Sequence, residues 1–208
     1  MLDKVKEARE KSKKRKFSQT FDLIINVKGL DLKNPTNRFN LDFVLPSGRG
    51  KDPKTVLIAD TLAAKGKEAV DLVITKADIE PLSKDKKRFK KIANEYDFFF
   101  GEVSLMPLIG KTFGTVLGPR QKVPKPVPPN VDIKAFTAAS KKAVKIILKE
   151  NPVIHVAIGT EAMGDEDIAK NAEAVLNALR DKLPKGKNNI KNAYLKLTMG
   201  KPIKLELK

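Results

Sequence analysis

At 208 residues and 41% apolar, the chain can bury one large core or two small ones, which excludes wholesale disorder. Its net charge of +17 and isoelectric point near 9.9 favour polyanionic partners: RNA, DNA or an anionic membrane surface. There is no cysteine and one histidine, His155, so no conventional zinc site can be assembled, and no apolar run approaches the roughly 18 residues of a membrane span.

In chain order, residues 2–16 read as a basic helix with Leu2, Val5 and Ala8 on one face, without the apolar stretch of a secretory signal. This predicts a cytoplasmic protein. "TFDLIINV" follows as an alternating strand through Phe21, Leu23, Ile25 and Val27. A polar connection turns at Asn34-Pro35, "NLDFVLP" alternates again, and "SGRGKDP" reads as a hinge. The style then changes. "TVLIAD", "DLVIT" and "DFFFGEV" are nearly continuous apolar strands, interleaved with an Ala-rich helical piece and the basic helix "SKDKKRFKKIANEY". That pattern predicts a parallel sheet covered on both faces. A helical segment carrying Leu105, Leu108, Ile109, Phe113 and Leu117 leads to the proline-rich loop "QKVPKPVPPN", and "IKAFTAASKKAVKIILKEN" reads as a helix running into a strand.

After Asn151 alternation returns. "PVIHVAIG" is a strand. The helix "GDEDIAKNAEAVLNALRDKL" has an apolar stripe of Ile168, Ala172, Val175, Leu176, Leu179 and Leu183, and Asp165, Glu166 and Asp167 suit its positive end. "AYLKLTMG" and "KPIKLELK" close the chain as strands. Both ends therefore share an α+β style with a sheet open on one face, whereas the middle is α/β. This is compatible with one domain built from both termini and a second inserted in its loop. Residues 1–48, 49–149 and 150–208 carry net charges of +5, +10 and +2, so the middle is the most basic segment.

"IGKTFGTVLGPRQKVPKP" contains Gly110-Lys111-Thr112 and invites a nucleotide-dependent enzyme as the alternative reading. A phosphate loop needs glycine five residues before Gly110, and Leu105 stands there; the segment also reads as a helix whose small residues let another element approach. Glu161, Asp165, Glu166 and Asp167 could form an acid–base cluster, but three of them are explained as helix-start acids without chemistry, and His155 has no nucleophile paired with it in sequence. No catalytic, metal or cofactor residues are assigned. "KKRKFSQT" places cations beside Phe17, the ingredients of RNA recognition, and "KLTMGKP" ends a strand abruptly at Gly200 and Pro202, with Thr198 on the face of Lys196.

Taken together, "KEAR…KFSQTFD", "NPTNRFNLDFVLPSGRGK", "EYDFFFGEVSLMPLIGKTFGTVLGPRQKVPKPVPPN", "NAEAVLNAL" and "AYLKLTMG" resemble, in the same order, the archaeal-type ribosomal protein L-one family. The resemblance spans essentially the whole chain. It implies a domain I from both termini (1–48 plus 150–208) and an inserted, Rossmann-like three-layer α/β domain II (49–149). It also implies a non-enzymatic, ribosome-associated protein, monomeric when free and with no membrane role. The expected partners are the stalk region of large-subunit rRNA, the protein's own mRNA, whose translation it represses, and exit-site tRNA. By motif, the family's RNA-binding residues fall on Lys16 and Phe17 with Thr20 as neighbour, on Asn37 and Arg38 in a polar loop, and on Thr198, Met199 and Gly200. Gln121 stands where a glycine is usual. On this reading domain I recognises the folded RNA, while domain II adds long-range, salt-sensitive attraction.

Overall fold

A computed structural model describes residues 1–128 and 131–206; Pro129 and Asn130 of the proline-rich loop and Leu207 and Lys208 of the expected last strand lie outside them. The chain forms two compact units, Met1–Lys51 with Lys142–Lys208, and Asp52–Lys141. The first opens with helix α1 (Leu2–Glu10), strand β1 (Thr20–Val27) and strand β2 (Phe39–Val44). Helix α1 is shorter than its basic sequence suggests. Beyond Glu10 the residues "KSKKRK" offer no further apolar stripe and bring five cations together, so the chain leaves the helix after burying Val5 and Ala8.

The second unit runs β3 (Thr55–Ile58), α2 (Ala63–Gly66), β4 (Leu72–Ile74), α3 (Lys76–Lys84), α4 (Lys86–Glu95), β5 (Phe98–Glu102), α5 (Met106–Leu117), β6 (Lys125–Val127) and α6 (Ile133–Lys141). Its four strands are all parallel, in the order β4-β3-β5-β6. Every residue of β3 and β5 is buried, as strands covered on both faces require. One face packs Val56, Ile58 and Phe99 with Ile79, Phe89 and Phe113 from α3, α4 and α5; the other packs Leu57 and Phe100 with Leu62, Val127 and Ile133.

The chain then returns through β7 (Ala143–Leu148), β8 (Val153–Thr160), α7 (Asp165–Lys182), β9 (Ile190–Leu197) and β10 (Ile203–Leu205). An antiparallel sheet in the order β10-β9-β1-β8 buries Phe21, Leu23 and Ile25 beneath α1 and α7, and a two-stranded antiparallel sheet joins β2 to β7. The buried side chain of Asn171 on α7 ties the segment after β2 to this unit. It accepts from the Ser47 amide at 3.0 Å and donates to the carbonyls of Gly48 and Ile158, each at 2.8 Å.

The expected helix running into a strand at 133–148 is divided between the units. Helix α6 stays in the second, whereas β7 buries Val144, Ile146 and Leu148 in the terminal core. The domain limits expected at 48/49 and 149/150 accordingly lie at 51/52 and 141/142. This displacement inverts the charge distribution. The unit made by the termini holds 26 basic and 14 acidic residues, a net +12, and the inserted unit 16 and 11, a net +5.

Candidate nucleic-acid interface

Because β1 runs antiparallel to both β8 and β9, its first residue meets their last: Thr20 pairs with Thr160, and Phe21 with Leu197. This end of the sheet collects two loops nearly a chain length apart in sequence, 11–19 and 198–200. Thr198 extends the pairing beyond β9. Its amide donates to the Thr20 carbonyl at 3.0 Å, and its hydroxyl both accepts from the Thr20 amide at 3.1 Å and donates to the same carbonyl at 3.2 Å. The chain then turns, with the Gly200 amide donating to the Leu197 carbonyl at 2.8 Å. A Cβ at Gly200 would lie 2.5 Å from Ser12 Oγ and 3.3 Å from Leu197 Cβ, so the absence of a side chain lets the two loops close on each other.

Gln19 joins the pieces. It is 1% exposed, its Oε1 accepts from the Met199 amide at 3.2 Å, its Nε2 donates to the Lys13 carbonyl at 3.3 Å, and its backbone exchanges bonds with Glu161. Arg9 holds the loop after β8 from the other side. Its guanidinium donates to the carbonyls of Glu161 and Met163, makes two bonds to Asp165, and lies 5.4 Å from the centre of the Phe21 ring. With the backbone fixed in this way, two apolar side chains remain outside: Phe17 is 54% exposed and Met199 59%. Exposed Lys13, Lys14, Arg15 and Lys16 flank Phe17, and a shallow depression runs between this loop and Glu161-Ala162. Cations for phosphates beside an aromatic ring and a soft thioether for sugar or base faces suit RNA.

Of the residues marked in the sequence, Lys16, Phe17, Thr20, Thr198, Met199 and Gly200 thus share one end of the sheet. Asn37 and Arg38 do not join them. They precede β2, beyond the opposite end of the eight-residue β1, roughly 23 Å away at about 3.3 Å per residue. There they hold their own loop: Asn37 donates to the Asp31 carbonyl at 2.8 Å, and Arg38 to the Leu32 carbonyl at 2.7 Å. Sequence reasoning missed Gln19, Arg9 and the role of Glu161. A polar residue between Phe17 and a strand carries no signal that it is buried, and the partners of Arg9 lie more than 150 positions away.

The enzyme reading finds no geometry. Lys111 and Thr112 sit inside α5 rather than in a loop, and the Thr112 hydroxyl donates to the Leu108 carbonyl at 2.8 Å. A Cβ on Gly110 or Gly114 would meet nothing within 4 Å, which corrects the expectation that these small residues admit a neighbouring element. In a sheet of order β4-β3-β5-β6 a ligand would enter where the order reverses, beyond the ends of β3 and β5. That crevice is filled from within. The Glu102 carboxylate accepts from the amides of Asp60 and Thr61 and from the hydroxyls of Thr61 and Ser104, taking the donors a phosphate would need. Among the described residues no group of three acids or histidines could hold a metal, and no helix is long and apolar enough to cross a membrane.

Residues 8–201 match the model of the family described as "Ribosomal protein L1p/L10e family". The chain is similar to proteins named "Large ribosomal subunit protein uL1". It is 49% identical to that of Methanothermococcus thermolithotrophicus over 207 residues, covering 99% of this chain and 97% of the relative. It is 50% identical to that of Methanococcus vannielii over 197 residues (94% and 92%), and 46% identical to that of Thermococcus kodakarensis over 208 residues (99% and 96%).

Proposed function

Because the chain belongs to the ribosomal protein L1p/L10e family, we propose that it binds the stalk region of large-subunit rRNA through the end of the sheet where Phe17 and Met199 emerge. The protein is a component of the large ribosomal subunit and not an enzyme. The terminal unit is its domain I and does the recognising; the inserted unit is a Rossmann-like domain II. In this reading the protein is a monomer when free. On the ribosome it aids release of deacylated tRNA from the exit site, and when in excess it represses translation of its own mRNA by binding a fold like its rRNA site.

One observation carries the assignment to this end of the sheet. Two large apolar side chains stand exposed beside four consecutive cations, on backbone pinned by Gln19, Thr198 and Arg9. A surface organised to that degree and left uncovered suits a structured partner. Met199→Ala is the direct test, since it truncates an exposed side chain and leaves the turn's hydrogen bonds intact. Binding to a stalk rRNA fragment is expected to weaken by roughly 1–3 kcal/mol, and Thr198→Ala, which loosens the turn itself, by a similar amount. Unchanged binding by a folded Met199→Ala protein would remove this residue from the interface. Footprinting on large-subunit rRNA and on the mRNA leader is expected to protect one small fold common to both.

A further inference from the structure

Helix α4 in the inserted unit presents a face that the proposed rRNA site leaves unused. Six of the eight residues at 84–91 are basic: Lys84, Lys86, Lys87, Arg88, Lys90 and Lys91, all exposed. Among the described residues none of the six forms an ion pair with a carboxylate. The acids facing them are engaged elsewhere. Asp85 accepts from the Arg88 amide, and Asp78 on α3 accepts from the amide and hydroxyl of Thr75 and feels Arg88 only as a weak charge. Glu95, at the far end of α4, pairs with Lys54. Other lysines of this unit have internal work: Lys134 pairs with Glu68, and Lys122 donates to the carbonyls of Ala93 and Tyr96.

For the helix itself this arrangement is unfavourable. Lys86, Lys87 and Arg88 crowd the positive end of its dipole, and Lys86 with Lys90 and Lys87 with Lys91 are like charges one turn apart. The helix is held from behind, where Phe89 stacks on Phe113 at 3.9 Å and Ala93 is buried, so the cations are displayed on a rigid element. A charge pattern that costs its own helix stability is explained by an external polyanion. A bilayer does not fit: Phe89 and Ala93 face inward and Ile92 is half-buried, so no apolar stripe is left to enter lipid.

We infer that the exposed face of α4 is a second RNA surface, one that holds backbone phosphates without reading sequence. This rests on the reading of the chain as an RNA-binding protein, and it localises the salt-sensitive attraction of the inserted unit to one helix.

The test is the full-length triple variant Lys87→Gln, Lys90→Gln, Lys91→Gln, titrated against a stalk rRNA fragment and an unrelated structured RNA across a series of potassium chloride concentrations. For both RNAs the slope of log affinity against log salt is expected to fall by about 2–3, at roughly 0.7–0.9 for each phosphate that is no longer neutralised. Affinity at low salt should drop at least tenfold, while the preference for the stalk fragment persists. Thermal unfolding of the variant should occur at or above the wild-type temperature, because like-charge repulsion has been relieved. A wild-type salt slope in a folded variant overturns the inference. So does a variant that loses binding to anionic phosphatidylserine vesicles and not to RNA. A wild-type protein with no preference for the stalk fragment would sink the rRNA assignment alone, since the slope on unrelated RNA reads α4 independently.

Discussion

Gln121 holds its backbone at φ 58°, the left-handed region in which a side chain costs about 1–2 kcal/mol. The chain accepts this because the turn after α5 has a task on either side of it. Arg120 donates to the carbonyl of Val116 and to Asn94, and Lys122 reaches the carbonyls of Ala93 and Tyr96, closing the end of α4. Burial of the Lys122 ammonium lowers its pKa, so its three-donor head is held at a cost offset by those carbonyls. Replacing Gln121 with glycine is expected to raise stability by about 0.5–1 kcal/mol in urea unfolding, the relief of strain less the entropy glycine adds to the unfolded chain. Reduced stability would mean that the glutamine side chain returns more than its backbone costs. The turn after α5 is thus a clamp between two helices, and its residues are absent from the proposed rRNA site at the end of the terminal sheet. The residues that build that surface were harder to read. Phe17 and Thr198-Met199-Gly200 are marked by composition and motif. Gln19 looks like any loop glutamine until the fold closes three chain segments around it.

At the scale of elements, the inserted sheet shows how a crevice suited to nucleotides becomes structural. Glu102 ends β5 and is 6% exposed, and the amide of Asp60 at the end of β3 leads the groups that hold its pKa below the ordinary 4.5. A carboxylate whose pKa is lowered on folding contributes stability that is fully present above its unfolded pKa and is lost as pH falls through the folded one. Hydrogen exchange of β3 and β5 amides should therefore quicken as pH drops below about 4.5, beyond the intrinsic trend, and Glu102→Gln should flatten that dependence. Near neutral pH the same substitution is expected to cost about 1–3 kcal/mol, because the donors lose a charged acceptor. An unchanged pH profile would show that other carboxylates carry the acid sensitivity. Strands β3, β4 and β5 were legible as parallel strands from their unbroken apolar runs, whereas β6, the sequence Lys125-Pro126-Val127, lies within the stretch expected to be a proline-rich loop. The occupant of the crevice was not, since "GEVS" gives no sign that its acid points back at β3.

At the scale of the whole molecule, one strand decides both the domain limits and the charge distribution. Sequence style placed 143–148 with the inserted unit, because it follows a helix without a break. Pairing with β2 is a long-range choice that alternation alone cannot register. Five cations travel with the corrected limits, Arg49, Lys51, Lys142, Lys145 and Lys149, and they raise the terminal unit to +12. The unit proposed to recognise rRNA is therefore also the more strongly attracting one, and the inserted unit's share is concentrated on α4. This sets the result of dissecting the chain. A fragment joining 1–48 to 150–208 lacks β7 and forfeits burial of Val144, Ile146 and Leu148, which are 5%, 0% and 0% exposed. At about 1.5–3 kcal/mol for each side chain, that loss is comparable to the roughly 5–15 kcal/mol by which a domain is stable at all, and it leaves β2 as an unpaired edge. This fragment is expected to show no cooperative unfolding by circular dichroism. A fragment joining 1–51 to 142–208 through a short glycine–serine linker keeps β7 and is expected to fold. It should bind the stalk rRNA fragment within about tenfold of the full chain at about 0.2 M salt, with a shallower salt slope because α4 is gone. A folded fragment that bound more than about a hundredfold worse would transfer the recognition itself, and not only the salt-dependent attraction, to the inserted unit.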